Sequence, residues 1–299
     1  MTQNLSTTPI NGILLVNKPI GMTSNAVLQY VKRLYNAEKA GHTGSLDPMA
    51  TGMLPICFGE ATKWCQYLLD ADKSYVTTGC LGIKTNTGDA TGEVIATNTV
   101  PHISSEYLLQ VLASFQGKIQ QIPSMFSALK HNGMPLYKFA RSGLKVERAA
   151  RTIIIYALQL LEFDGINFKL MATCSKGTYI RSLVEDIGDY LNVGAHVVQL
   201  HRSYTAGFEQ QPMFTLETLS QASMQQLLTY LLPMETALLA FTEKILTHAD
   251  LLCLRQGKTL ICNTESIGYV RLYDAEMRFV GLGEITSDGI LKAKRLLKF

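Results

Sequence analysis

Several features are scarce or missing in this 299-residue sequence. No apolar run approaches the ~18–20 residues that cross a bilayer, so no membrane-spanning helix is expected. The first ten residues are polar, and a signal peptide is therefore not expected. The six cysteines form no C-x-x-C pair, which favours reduced thiols in the cytoplasm over disulfides or a zinc site.

Ligand motifs are missing as well. The glycine-rich segment 41–52 lacks the Gly-Lys-Ser/Thr ending of a P-loop, and apolar residues break the alternating oxygen ligands of a calcium loop. His196 and His201 are five residues apart, which does not place them on one helix face, and no acidic cluster accompanies them. We therefore expect no metal and no cofactor.

The composition is that of a folded protein, since 47% of the residues are hydrophobic and 17% are charged. The net charge is only +3, but residues 128–151 carry +5 and leave −2 for the rest of the chain. The C-terminal run Lys292, Lys294, Arg295 and Lys298 is basic too. Such patches indicate contacts with the phosphates of RNA, although a solvated surface is the alternative. The candidate backbone contacts are Lys130, Lys138, Arg141, Lys145 and Arg148.

Hydrophobic periodicity predicts an α+β fold. Residues 12–16 form an apolar run typical of a buried strand. A hairpin is predicted around Asp164-Gly165, because strand-like runs flank this pair at 152–163 and 166–174. The clearest helix begins near Ile180 and presents an apolar stripe as far as Leu191. Short strands after residue 240 predict a small C-terminal β-barrel.

Asp47 is the most informative residue of segment 41–52. It lies between a leucine and a proline in a loop whose glycines permit tight turns. A carboxylate held rigidly among apolar residues suits a nucleophile or a general base. A turn aspartate that hydrogen-bonds its own backbone is the competing interpretation.

Arg181 stands in the first turn of the predicted helix, with Thr178 as a candidate N-cap. A cation there opposes the positive end of the helix dipole, at a cost of a few tenths of a kcal/mol. This position is favourable if an anion lies close by, either a phosphate or the Asp47 carboxylate. A solvated arginine on the helix shoulder is the alternative.

Six motifs in order resemble the bacterial TruB-type tRNA pseudouridine synthases. They are GILLVNKP (12–19), AGHTGSLDPMATGMLP (40–55), KSY (73–75), QIPSMFSALK (121–130), SKGTYIR (175–181) and GAHVVQL (194–200). The resemblance implies a mixed, mainly antiparallel sheet flanked by helices and loops. It also implies a catalytic domain over residues 1–243, with a basic thumb-like insertion at about 124–151, and a PUA-like RNA-binding domain over residues 244–299.

The implied activity is isomerisation of uridine 55 in the T-loop of tRNA to pseudouridine, after the base is flipped out of the RNA. Asp47 matches the catalytic aspartate, which either attacks C1′ or removes a ribose proton, and Arg181 matches the arginine that pairs with it. Tyr75 matches the tyrosine that stacks on the uracil and is a candidate for moving the C5 proton. His42, Tyr179 and Leu200 match substrate-contacting residues.

Two other functions compete with this interpretation. A pure RNA-binding module needs the basic patches but no fixed carboxylate, and a glycosidase-like hydrolase needs a second placed carboxylate. We expect a cytoplasmic enzyme that binds the T-arm of tRNA, works as a monomer, and has neither a membrane anchor nor an obligate protein partner.

Overall fold

The computed structural model describes residues 9–262 and 266–297. The strands, numbered in chain order, are β1 (Gly12–Lys18), β2 (Ala40–His42), β3 (Thr51–Phe58), β4 (Lys73–Leu81), β5 (Ile83–Thr85), β6 (Val94–Thr97), β7 (Gly117–Gln121), β8 (Lys130–His131), β9 (Met134–Pro135), β10 (Arg151–Phe163), β11 (Asn167–Cys174), β12 (Ala195–Thr205), β13 (Thr242–Ile245), β14 (Leu260–Ile261), β15 (Gly268–Tyr273), β16 (Phe279–Ile285) and β17 (Ile290–Leu296). Residues 1–8 and Lys298 of the basic C-terminal run lie outside this part.

The α-helices are α1 (Ser24–Leu34), α2 (Cys65–Leu69), α3 (Ser105–Ser114), α4 (Leu136–Arg141), α5 (Ile180–Tyr190), α6 (Leu216–Gln221), α7 (Met224–Thr229) and α8 (His248–Arg255). Two 3₁₀ helices occupy Gly59–Trp64 and Met234–Leu238. The predicted α5 is confirmed, because its buried stripe includes Ile180, Leu183, Val184 and Ile187.

The main sheet has the order β1-β3-β12-β4-β11-β10-β7, with β2 paired to β3. Strands β12 and β3 run parallel, and the other pairs of this sheet are antiparallel. The mixed, mainly antiparallel sheet that the resemblance implies is thus confirmed. Its order places β12 between β3 and β4, so residues from distant parts of the sequence meet on neighbouring strands.

Strand β1 is buried on both faces, which explains its continuous apolar run. Leu14 and Val16 pack with the buried face of α1, while Ile13 and Leu15 join a second cluster around Trp64. Helices α3 and α5 cover the part of the sheet that contains β4, β10, β11 and β12. The strand register puts these contacts on one face, so α1, α3 and α5 cover the same face of the sheet, and the cluster around Trp64 lies on the other face of β1 and β3.

The C-terminal strands form a second, five-stranded sheet with the order β13-β15-β16-β17-β14. Its two end strands are not paired with each other in the part of the chain that the structure describes, so the closed barrel predicted from the sequence is not found. The sheet shares a core with the main body, because Phe279 packs edge-on against Trp64 with ring centroids 5.7 Å apart.

The hairpin at 152–174 is confirmed, but its tight two-residue turn is wrong. Phe163 pairs with Phe168, which leaves four residues in the connection. The Asp164 carboxylate accepts hydrogen bonds from the backbone N–H groups of Ile166 (2.9 Å) and Asn167 (2.6 Å). These bonds stabilise the wider turn in which Gly165 has a φ of +98°.

Candidate active site

The loop that carries Asp47 connects β2 to β3. The N–H of Thr43 donates to the carbonyl of Pro55 (3.1 Å), and the N–H of Leu46 donates to the Ser24 hydroxyl (2.7 Å). The Leu46 side chain is buried in the core. Polar and apolar contacts thus hold the backbone beside Asp47, whose side chain remains 35% exposed.

Asp47 and Arg181 meet at the centre of the site. The Nε of Arg181 lies 2.8 Å from the Oδ2 of Asp47, and the Arg181 side chain is only 3% exposed. Within the described residues this Nε has no aligned hydrogen-bond acceptor, so the contact is an ion pair. The anion that the position of Arg181 requires is therefore the Asp47 carboxylate.

The other nitrogens of Arg181 bind the protein backbone. Nη1 donates to the Thr87 carbonyl (2.6 Å), and Nη2 donates to the Phe126 carbonyl (2.8 Å). The closest contact with Asp47 is thus made by Nε, while both terminal nitrogens bind backbone carbonyls. Two connecting segments, one after β5 and one after β7, hold the guanidinium at this place.

Asp89 is a second buried carboxylate near Arg181, and sequence reasoning missed it. Its Oδ2 lies 3.7 Å from Nη1 of Arg181. Its Oδ1 accepts hydrogen bonds from the hydroxyls of Thr87 (2.8 Å) and Thr91 (2.6 Å). The sequence around Asp89 is typical of an ordinary turn. Asp89 comes to lie beside the site because it pairs with Val197 of β12.

Burial raises the pKa of the Asp47 carboxyl above its ordinary value, and the Arg181 guanidinium acts in the opposite direction. The Asp89 carboxylate adds to the increase, while Lys18 opposes it. Lys18 is fully buried, and its Nζ donates to the carbonyls of Pro19 (2.8 Å) and Met22 (2.7 Å). Its pKa is lowered to about 8, mainly by burial.

Tyr75 on β4 and Leu200 on β12 belong to the same apolar cluster as Leu46 and Met49 of the Asp47 loop. Tyr75 is 8% exposed and Leu200 is 7% exposed. Burial raises the pKa of the Tyr75 phenol. The structure therefore combines a carboxylate, a phenol and an apolar wall around one site.

His42 and Tyr179 lie at the edges of this arrangement. His42 ends β2 just before the Asp47 loop, and its buried Nδ1 has no hydrogen-bond partner among the described residues. Tyr179, and not Thr178, is the N-cap residue of α5. The Gln121 side-chain amide binds the Tyr179 backbone in both directions, at 2.8 and 3.0 Å, and so fixes the start of α5, which has no side-chain cap.

The basic segment consists of the short hairpin β8–β9, helix α4 and a connection to β10. The side chains of Lys130, Lys138, Arg141 and Lys145 are exposed. Arg148 differs, since its Nη1 donates to the Pro123 carbonyl (2.7 Å). Four of the five candidate phosphate contacts are thus free to meet a ligand, and the fifth also fixes the segment to the body.

Two further findings concern the described residues as a whole. They contain no group of three or more His, Cys, Asp or Glu side chains that could hold a metal ion. None of their helices is long and apolar enough to cross a membrane.

Solved structures show a similar fold. A chain from a Cbf5-Nop10-Gar1 complex superposes with a TM-score of 0.72 at 25% identity, over 95% of this chain and 84% of that one. A chain from an H/ACA RNP bound to a substrate RNA containing 2′-deoxyuridine has a TM-score of 0.72 at 23% identity, over 99% and 93%. These structures thus share the fold of this chain over nearly its whole length.

Sequence comparisons agree. Residues 32–180 match the TruB family pseudouridylate synthase N-terminal domain, and 181–239 and 245–297 match the C-terminal domains of tRNA pseudouridylate synthase B and of pseudouridine synthase II TruB. Proteins called tRNA pseudouridine synthase B are 55% identical in Legionella pneumophila subsp. pneumophila (100% of this chain, 99% of that one) and 49% in Aeromonas salmonicida (97% and 94%). The chain belongs to the TruB family of pseudouridine synthases, and it is therefore an isomerase rather than a pure RNA-binding module or a hydrolase.

Proposed function

We propose that this enzyme converts uridine 55 in the T-loop of tRNA to pseudouridine. The observation that carries the proposal is the ion pair of Asp47 and Arg181, 2.8 Å apart, beside the phenol of Tyr75 and the apolar side chain of Leu200. The names of the curated relatives, which specify tRNA, support the substrate class.

The reaction is an isomerisation in which all atoms of the substrate are retained. The N1–C1′ bond breaks, the uracil turns within the site, and C5 bonds to C1′. The proton on C5 then leaves, its electron pair restores the C5–C6 double bond, and N1 accepts a proton. The balance requires no redox partner and no added group.

Asp47 supplies the carboxylate that acts at the ribose, by attack on C1′ or by removal of a ribose proton. Arg181 keeps this carboxylate oriented and ionised, because an adjacent buried cation favours the charged form. Tyr75 stacks on the flipped uracil and takes the C5 proton. Leu200 forms the apolar wall against which the base turns.

The target base must leave its stack, at a cost of a few kcal/mol. His42 stands at the entrance to the Asp47 loop and is suited to stacking where the base has left. Tyr179 contacts the substrate from the start of α5.

The basic thumb-like insertion at 124–151 closes over the RNA loop, and its exposed lysines and Arg141 contact phosphates. Its first residues already reach the site, since the Phe126 carbonyl accepts a hydrogen bond from Arg181 (2.8 Å). Closure of this segment and the position of the catalytic arginine are therefore coupled.

Residues 244–299 act as the PUA-like RNA-binding domain beside a catalytic domain over residues 1–243. The basic strand β17, with Lys292, Lys294 and Arg295, supplies positive charge to this part of the molecule. The enzyme binds the T-arm of tRNA as a monomer without an obligate protein partner. These assignments, like the cytoplasmic location, stay predictions.

The test uses an unmodified tRNA transcript and maps pseudouridine at every uridine by carbodiimide labelling and primer extension. We expect one modified uridine, at position 55, and no product when that uridine is replaced by cytidine. Product at a different T-loop position, or no product at all, would contradict the proposed function.

A further inference from the structure

Arg202 is a buried arginine of β12 to which the mechanism above gives no role. Its side chain is 1% exposed. Its Nε donates to the Met53 carbonyl (2.7 Å), and its Nη2 donates to the Gly44 carbonyl (3.1 Å) in the loop that carries Asp47. The guanidinium also lies near the Tyr75 phenol, whose pKa it acts to lower. One side chain thus binds β3 and the catalytic loop and comes close to the phenol.

The strand register makes this connection possible. Arg202 pairs with Tyr75 on β4 and with Gly52 on β3. A Cβ atom at Gly52 would lie 2.2 Å from the Arg202 carbonyl oxygen, and the φ of Gly52 is +102°. Only glycine allows β3 and β12 to approach this closely. The last glycine of the motif 41–52 therefore serves to place Arg202.

The charge of Arg202 is not neutralised by a carboxylate. No ion pair within the described ranges 9–262 and 266–297 involves it. Instead it lies near Lys18 and Lys73, and it contributes, after burial, to lowering the pKa of each to about 8. A buried cation without a counter-ion is costly unless negative charge develops beside it.

We propose that Arg202 is a positioning residue, which fixes the Tyr75 hydroxyl relative to the Asp47 loop and stabilises the phenolate that removes the C5 proton. This inference rests on the proposed function. In the step itself, the phenolate oxygen forms an O–H bond, the C5–H bond breaks, and its electron pair becomes the C5–C6 double bond. N1 accepts the proton of the phenol, directly or relayed by a water molecule, which restores the phenolate.

The electrostatics agree with this role. Burial raises the pKa of Tyr75, and the positive charge of the nearby Arg202 guanidinium opposes that increase. Removal of the charge should therefore raise the pKa of the Tyr75 phenol further.

A titration without tRNA tests the inference separately from the proposed function. Tyrosines are replaced by 3,5-difluorotyrosine, whose fluorines bring phenol ionisation into an accessible pH range, and the Tyr75 signal in ¹⁹F NMR is assigned with Tyr75→Phe. In Arg202→Gln this signal should titrate about one pH unit or more above its wild-type midpoint, and in Arg202→Lys the shift should be smaller. An unchanged midpoint in Arg202→Gln would overturn the inference.

Single-turnover kinetics on tRNA give the second readout. We expect the rate at saturating enzyme to fall about a hundredfold in Arg202→Gln with little change in RNA affinity, because a misplaced catalytic group costs about that factor. In the Tyr75→Phe background, Arg202→Gln should add no further loss. A full additional loss there would overturn the inference, whereas inactive wild type would instead contradict the proposed function.

Arg271 offers a matched control in the C-terminal sheet. It is also buried, and it donates to the Phe241 carbonyl (3.0 Å) and to the Tyr273 hydroxyl (3.1 Å). Arg271→Gln should lower the thermal unfolding midpoint but keep the wild-type rate. An equal loss of rate in Arg271→Gln would show that the loss in Arg202→Gln reflects general damage to the fold.

Discussion

The Nε of Arg181 lies 2.8 Å from the Oδ2 of Asp47, with the arginine side chain 3% exposed and the carboxylate 35% exposed. The cation is therefore held inside the protein by the Thr87 and Phe126 carbonyls, while the carboxylate is partly open to solvent. A buried guanidinium in this position orients Asp47 and does not serve as a phosphate contact. The carboxylate is the more accessible member of the pair, as its proposed role at the ribose requires.

Arg181→Lys should lower the single-turnover rate about a hundredfold, because one ammonium cannot reach Asp47 and both backbone carbonyls at once. The measurement is pseudouridine formed per tRNA over time at saturating enzyme. Arg278→Lys, at an exposed arginine of the C-terminal sheet, is the matched control and should keep the wild-type rate. Full activity of Arg181→Lys would mean that the three-way anchoring is unnecessary.

As the pH is lowered, the rate of pseudouridine formation should begin to fall at a higher pH than in an enzyme with an exposed catalytic aspartate. Asp47 acts in its ionised form, and burial raises its pKa, so protonation on lowering the pH begins above the ordinary range of an aspartate. Arg181 opposes this increase, so in Arg181→Gln the acidic limb should move to higher pH. A pH–rate profile of both proteins checks this, and a limb that moves to lower pH in the variant contradicts it.

Thermal stability should decrease between pH 5.5 and pH 8. Burial raises the pKa of Glu185 to about 7 and of Asp186 to about 6, so the folded state binds protons that the unfolded state has released. The stabilisation by these protons is present at the lower pH and is lost as the pH rises through the folded-state pKa values.

Glu185→Gln should reduce that pH dependence, as measured by the unfolding midpoint at each pH. Glu217→Gln, at an exposed residue of α6, should leave it unchanged. If the unfolding midpoint falls by the same amount from pH 5.5 to pH 8 in wild type and in Glu185→Gln, Glu185 is not responsible for the pH dependence.

Local pattern predicted only part of the site. Asp47 and Arg181 stand out because each lies in a motif and each has a charge that its surroundings make costly. Asp89 and Arg202 do not stand out, because their roles depend on β12 lying between β3 and β4. That order follows from long-range pairing, which the periodicity of a single strand does not encode.

Long-range contacts also explain where the fold prediction was wrong. Thr178 has a good capping side chain, but its hydroxyl donates to the Ser175 carbonyl (2.9 Å), and the N-cap residue is Tyr179, whose backbone binds Gln121 of β7. The C-terminal strands were predicted correctly as strands, and their open order depends on β13 pairing parallel with β15. The buried strand β1 and the stripe of α5 were predictable because burial alone decides them.

Lys130→Gln combined with Lys138→Gln should weaken tRNA binding and reduce its salt dependence. Both lysines are exposed in the basic segment, and each phosphate contact contributes about 0.7–0.9 to the slope of log K against log salt. Binding isotherms over a range of salt concentrations measure this slope. Two substitutions with Gln at exposed lysines outside the segment and outside residues 244–299, Lys39 and Lys118, are the control. An equal loss of slope there would contradict a specific role for the segment.

The most direct test of the account compares wild type with Asp47→Asn on unmodified tRNA. The substitution keeps the size of the side chain and removes its charge, and Asp72→Asn is a matched control on a loop outside the site. The account predicts that wild type and Asp72→Asn form pseudouridine at position 55, while Asp47→Asn still binds tRNA but forms none. Equal product from Asp47→Asn would contradict the assignment of Asp47 as the catalytic carboxylate.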